Sequence, residues 1–286
     1  YRSSQSVTSN DANTMFADKT NGNKVKIAAF RHLSNMRYYD ADIDADFELT
    51  NKNMDWTSVG TGVYDLTADE QETAGATVEK LAWKENSADE AADFPTIAVL
   101  PKKHTLQGHG KKTYVSNLRL GETSIVDDET VQQLADASAA SNLKKTEYLG
   151  LFGELEGTVT DFVLREPSIT FGVSTGQENE VHTYTQLKGI GILAGRSAGV
   201  IKHTEITSVA DNNSVQNAKT VNVSLESAVL SANGNTQIAA VGGVVGILAD
   251  TDKDGNLTAS TTGKIEDVTM EGAVEAHLPT MSGAAN

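Results

Sequence analysis

The chain has no cysteine, only four prolines and only two tryptophans among its 286 residues. Without cysteine it can form neither disulfides nor thiolate metal sites. Basic residues are scarce too. Against 39 Asp and Glu stand 23 Lys and Arg, for a formal net charge of −16 and a sequence pI near 4.7. That balance argues against nucleic acid, whose phosphates demand a basic surface, and against an anionic membrane surface. No apolar run is long enough to span a bilayer, so no membrane insertion is expected, and no signal peptide or sorting motif is visible. Catalytic signatures are sparse: there is no HExxH, no phosphate-cradling GxxxxGK[ST], and no serine nucleophile elbow is expected. The six histidines are scattered, as surface or packing histidines usually are. With 38% hydrophobic and 6% aromatic residues, the composition is lean for a globule but suits a thin stacked core.

What the sequence does have is a glycine-punctuated repeat. LGLFGELEGTVTDFVL at 149–164 joins a glycine-rich apolar half, Gly157 and an alternating half. Two echoes follow, GIGILAGRSAGVIKHTEI from Gly189 and VGGVVGILAD from Val241, the latter completed by TTGKIEDVTM at 261–270. Aligning the second halves puts Asp161, His203 and Asp267 in one column, and an upstream copy at 112–120 adds Asn117. Such repeats imply stacked units, each burying its apolar face on the next. The column members lie 44, 42 and 64 residues apart. A three-sided coil takes roughly 20–25 residues, so two coils are expected in each shorter period.

In chain order, residues 1–24 are polar and aperiodic, a leader or the end of a preceding domain, and the start at Tyr1 suggests a piece of something longer. KVKI from Lys24 reads as a strand. AAFRHLSNMRYY puts Phe30, Leu33 and Arg37 on one helical face beside Ala29 and Met36, a short helix suited to covering the end of a stack. Asp40, Asp42, Asp44 and Asp46 alternate and read as a solvated loop. Residues 65–94 are weakly helical. Residues 126–143 make a better helix, with Asp127 or Asp128 as cap and a stripe of Val131, Leu134 and Ala135. Both segments read as excursions from the stack.

The run IAAFRHLSNMR, then FELTNKNMDW with Val59-Gly60, then LQGHGKKTYVSNLRL at 106–120 and Gly150-Leu-Phe-Gly153, resembles bacterial surface proteins carrying the GLUG motif. The likeness runs from about Val25 to Met270 and extends to the N-terminal region of IgA-cleaving metalloproteases. It implies an all-β fold, a right-handed parallel β-helix (solenoid) with an N-terminal capping helix and short helical insertions. It also implies an extracellular, secreted or wall-attached protein, often an adhesin. The expected organisation is a single domain over 25–286, with a cap at 25–66, an insertion at 65–94 and repeats at 97–270.

Two features carry candidate chemistry. The column Asn117, Asp161, His203, Asp267 reads as a turn column in which polar side chains satisfy the backbone where the chain bends. Its rival reading is a row of acid–base groups acting on polysaccharide. Asp250, Asp252, Asp254 and the Asn256 carbonyl have the spacing of a calcium loop, with Gly255 at the sharp turn. Thr261 stands where an EF-hand has its bidentate Glu, and Glu266 or Asp267 could replace it only if the loop folded back. Calcium is the one cofactor these residues suggest. The expected function is a non-catalytic stalk or ligand-presenting module whose partner is a host glycan, a glycoprotein or another surface protein. The alternatives are a polysaccharide-binding or -cleaving β-helix and an accessory domain of a secreted protease.

Overall fold

Runs such as Thr105-Leu-Gln107 and Thr158-Val-Thr160 set one apolar residue between polar neighbours, so each forms a short strand with one face inward. The computed structural model describes residues 17–20, 24–27, 30–36, 46–55, 93–94, 96–121, 124, 147–172, 188–207, 219–224 and 240–277. The described part is mostly strand. It opens with β1 (Ala17–Thr20), β2 (Lys24–Ile27), α1 (Phe30–Asn35), β3 (Asp46–Leu49) and β4 (Asn53–Asp55). Four passes of the chain follow. The first is β5 (Ile97–Leu100), β6 (Thr105–Gln107), β7 (Tyr114–Ser116) and β8 (Arg119–Gly121). The second is β9 (Tyr148–Leu149), β10 (Phe152–Leu155), β11 (Thr158–Thr160), β12 (Val163–Arg165) and β13 (Ser168–Gly172). The third is β14 (Gly189–Ile190), β15 (Ala194–Ser197), β16 (Val200–Thr207) and β17 (Lys219–Ser224). The fourth is β18 (Ala240–Val241), β19 (Val245–Thr251), β20 (Leu257–Ala259), β21 (Lys264–Glu271) and β22 (Ala273–His277).

Each pass adds strands to the same sheets, parallel to those of the pass before. One sheet runs β5-β10-β15-β19, another β8-β13-β17-β22, a third β9-β14-β18. The largest holds β2-β3-β6-β11-β16-β21 along one half and β4-β7-β12 with the second half of β16 along the other. Only β1 on β2 and β20 on β19 pair antiparallel among the described residues. Parallel pairing in register stacks like on like. Phe47, Leu106, Val159, Ile201 and Ile265 form one inward column, and Met54, Val115, Leu164, Ile206 and Met270 another. Phe47, Leu106, Val159 and Ile201 are fully buried. Burying an aliphatic or aromatic side chain of this size contributes roughly 1.5–3 kcal/mol, and these columns hold the passes together.

Between consecutive strands of the apolar half the backbone comes too close to its neighbours for a side chain. A Cβ on Gly191, between β14 and β15, would lie 2.5 Å from both the Ala194 carbonyl oxygen and the Gly246 nitrogen. This packing accounts for the glycines of the apolar half.

The structure corrects the spacing. Val159 pairs directly with Ile201, and Ile201 with Ile265, so each period holds one pass and not two. The remaining length lies in the β19–β20 hairpin and in stretches outside the described residues, such as 125–146, 173–187, 208–218 and 225–239. The expected helix is present but short: α1 buries Phe30, Leu33 and Met36, while residues 28, 29 and 37–39 lie outside the described residues. Asp46, read as part of a solvated loop, is the first residue of β3 and accepts a 2.8 Å hydrogen bond from the Thr105 amide. Ala17–Thr20, within the stretch read as a polar leader, is a strand. Residues 65–92, residues 126–143, and Asp40, Asp42 and Asp44 lie outside the described residues.

Candidate functional site

Three of the four aligned polar residues share one corner. Asp161, His203 and Asp267 follow β11, lie mid-β16 and lie mid-β21, all with left-handed backbone at φ 52°, 48° and 50°. Asp, Asn and His tolerate this conformation better than other L-residues, which explains the residue types. Stacking brings His203 Nδ1 to 3.7 Å from Asp161 Oδ1 and His203 Nε2 to 4.0 Å from Asp267 Oδ2. All three side chains are exposed to water, Asp267 at 82%. The imidazole thus lies between the two carboxylates.

Asn117 belongs one corner further along. Val115 pairs with Leu164, which puts Asn117 level with Glu166, and these two also have positive φ, 56° and 50°. The first-pass counterpart of Asp161 is the Gly108–Gly110 turn, where the Gly110 amide donates to the Asp161 carbonyl at 2.9 Å. A Cβ on Gly108 would come within 2.1 Å of that carbonyl oxygen. The signal for the correct alignment was the triplet Thr105-Leu-Gln107, matching Thr158-Val-Thr160 and Val200-Ile-Lys202.

A second polar cluster escaped sequence reasoning. Arg196 on β15 is 1% exposed although it lies on the face opposite the core residues. Its Nε donates to Glu154 Oε2 at 3.1 Å, and its Nη2 donates to Glu154 and, at 3.2 Å, to Glu156 Oε1. Its Nη1 donates to the Ala249 carbonyl at 3.0 Å. One guanidinium therefore ties the second pass to the fourth. Burial works to lower the Arg196 pKa, but the hydrogen bonds and charges of Glu154 and Glu156 outweigh it and leave it raised. Tyr148 covers the guanidinium at 5.9 Å from its ring centre, and burial raises its phenol above the ordinary value against the pull of Lys188 and Arg196. Every donor group of Arg196 is engaged within the chain, so the cluster acts as a clamp.

The letters Gly195-Arg196-Ser197-Ala198-Gly199 spell GxSxG, contrary to the expectation that no such pattern is present. A nucleophile elbow needs a strand–turn–helix with its serine exposed at the turn. Ser197 ends a strand that leads into another strand, and it sits fully buried in the column between Leu155 and Leu248. Its environment is that of a core residue, not of a nucleophile.

The candidate calcium residues form the tip of the β19–β20 hairpin. Asp252 Oδ1 accepts the Asp254 and Asn256 amides at 2.8 and 2.9 Å, and Oδ2 accepts the Asn256 side-chain amide at 3.1 Å. Asp250 Oδ2 accepts the Thr261 amide at 2.7 Å, while Asp254 pairs with Lys253 at 3.0 Å. Gly255 supplies the left-handed turn with φ 81°. These backbone hydrogen bonds hold the Asp250 and Asp252 carboxyls below the usual carboxylate range. The structure thus brings Asp252, Asp254 and Asn256 together around one turn and directs Asp250 to Thr261, just beyond β20. Among the described residues, no three His, Asp or Glu side chains converge as a metal-binding group. Comparison with protein-family models, curated proteins and solved structures finds no match. No helix among the described residues is long and apolar enough to cross a membrane.

Proposed function

We propose that the chain is a right-handed parallel β-helix serving as a non-catalytic structural or adhesive module of a bacterial cell-surface protein, held outside the cell. The observation that carries this reading is the fate of the chemical-looking residues. Asp161, His203 and Asp267 serve a left-handed corner, Arg196 joins three passes, and Ser197 packs in the core. The right hand follows from the general preference of connections between parallel strands. The resemblance to GLUG-motif surface proteins supports the location and the role, with a host glycan, a glycoprotein or another surface protein as partner. The β19–β20 hairpin, exposed from Thr251 to Ala259, is available for such contact.

The test is to incubate the full chain with arrayed host glycoproteins and polysaccharides, reading retained protein and released reducing ends together. Retention without release is expected. Release would replace the reading with a carbohydrate-cleaving one centred on Asp161 and Asp267. Calcium titration is the companion measurement. Binding heat with a raised Tm makes Asp250, Asp252 and Asp254 ligands that stiffen the hairpin, and no heat leaves them as turn caps.

A further inference from the structure

Apart from β20 on the outer edge of β19, no described residue covers the fourth pass. The inward columns that are closed elsewhere end on Leu248, Ile265 and Val274, which are 44%, 43% and 46% exposed. Beside them Val241, Val245, Val268 and Met270 are only partly buried. The far edge of β21 has no strand partner among the described residues, and neither has that of β22. An apolar layer bordered by an unpaired strand edge is a template for another chain.

We infer that a second copy of this chain docks on this face, end to end about a twofold axis, with β21 pairing antiparallel to the partner's β21. The charge pattern of β21 selects this occupant. Its sequence Lys264-Ile-Glu-Asp-Val-Thr-Met-Glu271 points Lys264 and Glu266 outward, as their 3.8 Å approach shows, and Glu271 outward toward Thr207. In an antiparallel pair, opposite residues share a face. Placing the axis between Asp267 and Val268 sets Lys264 opposite Glu271 twice, Ile265 opposite Met270 twice and Glu266 opposite Thr269 twice. In these flanking pairs positive meets negative and apolar meets apolar, the corner itself sets Asp267 opposite Val268, and no like charges lie directly opposite. Twofold interfaces require this self-complementarity. The inference reaches beyond the proposed adhesive role, because it holds whatever ligand the molecule presents.

The test is sedimentation velocity on the full chain over a wide concentration range, with the melting temperature of every variant measured alongside. The expected result is a monomer–dimer equilibrium that stops at the dimer. Ile265→Lys should abolish it. Lys264→Glu alone and Glu271→Lys alone each place two like-charge pairs across the interface and should weaken it at least about tenfold. Both charges are exposed, so at protein concentrations too low for association these variants should keep the parent melting temperature. Mixing the Lys264→Glu chain with the Glu271→Lys chain sets opposite charges against each other at both contacts again and should restore association as a heterodimer. A monomer at every concentration, association indifferent to the charge swaps, or failure of the mixture to re-associate would each overturn the inference.

Discussion

The two ends of the stack are built from the same columns of apolar residues but are finished differently. At the first end β1 lies antiparallel on the outer edge of β2, and α1 packs Phe30, Leu33 and Met36 into the core, with Phe30 5.9 Å from the Phe94 ring centre. Val25, Ile27, Phe47 and Leu49 beneath them are at most 1% exposed. At the last end Ile265, from the same column as Phe47, is 43% exposed. Residue type does not produce this contrast, since both ends carry aliphatic side chains on strands. Coverage produces it. A layer becomes core only when something lies on both of its faces; a reversed strand lies on one sheet edge at each end, β1 on β2 and β20 on β19, but among the described residues a helix packs into the core only at the first end.

The largest expected effect tests that contrast directly. Leu33→Ala removes a fully buried side chain from α1 and should cost about 3 kcal/mol, whereas Ile265→Ala on the open layer should cost less than about 1 kcal/mol in the monomer, at protein concentrations too low for association. Denaturant unfolding of both variants in that dilute range measures the difference, and equal losses there would mean that the chain itself covers the open end. Next comes the clamp that binds the open layer to those beneath. Arg196→Ala leaves Glu154 and Glu156 without their partner and should cost about 3 kcal/mol, since removing one member of a buried pair strands the other. The two carboxylates are 31% and 29% exposed, which keeps the loss at the lower end of that class. Arg196→Lys should recover little, because an ammonium cannot bridge Glu154, Glu156 and Ala249 at once. Hydrogen exchange should show β19 loosening first in both Arg196 variants, and uniform loosening would refute the clamp.

The corner column offers a smaller test. His203→Val puts a β-branched residue at φ 48° and should cost about 1–2 kcal/mol, while His203→Asn should be nearly neutral. If both variants lose the same stability, the imidazole matters for its contacts with Asp161 and Asp267 and not for the backbone it tolerates.

Much of this architecture was legible because strand patterning is local. Triplets such as Thr158-Val-Thr160 announce their inward residue without help from the rest of the chain, and Asp161, His203 and Asp267 aligned by counting from a preceding glycine. Layer spacing was not legible. A connecting segment adds residues without adding a layer, so sequence distance misjudged both the number of passes per period and the place of Asn117. Arg196 was hidden for a related reason. Its partners lie 42 residues upstream and 53 downstream, and nothing in Gly195-Arg-Ser197 marks the residue as buried. The hairpin tip shows the converse. Asp at alternate positions before Gly255 satisfies a calcium-loop pattern and also an aspartate-capped turn, because both need short carboxylates at a tight bend.

The smallest effect concerns that turn and follows from the sign of its proton linkage. Asp250 is held below its ordinary pKa chiefly by the Thr261 amide, and Asp252 chiefly by the Asn256 amide. A carboxyl with a depressed folded-state pKa favours the folded hairpin fully above the unfolded value of about 3.9, and that contribution is lost as pH falls through the folded-state value. Acidification below about pH 4 should therefore open β20 from β19, while nothing changes at this turn near neutrality. Amide exchange at Asn256 and Thr261 reports the opening, with Val25 and Ile27 at the closed end as internal controls. Asp252→Ala should weaken protection of Asn256 at neutral pH and remove its acid dependence. Protection at Asn256 that stays flat from neutrality into strong acid in the parent chain would show that the carboxylate does not hold the turn.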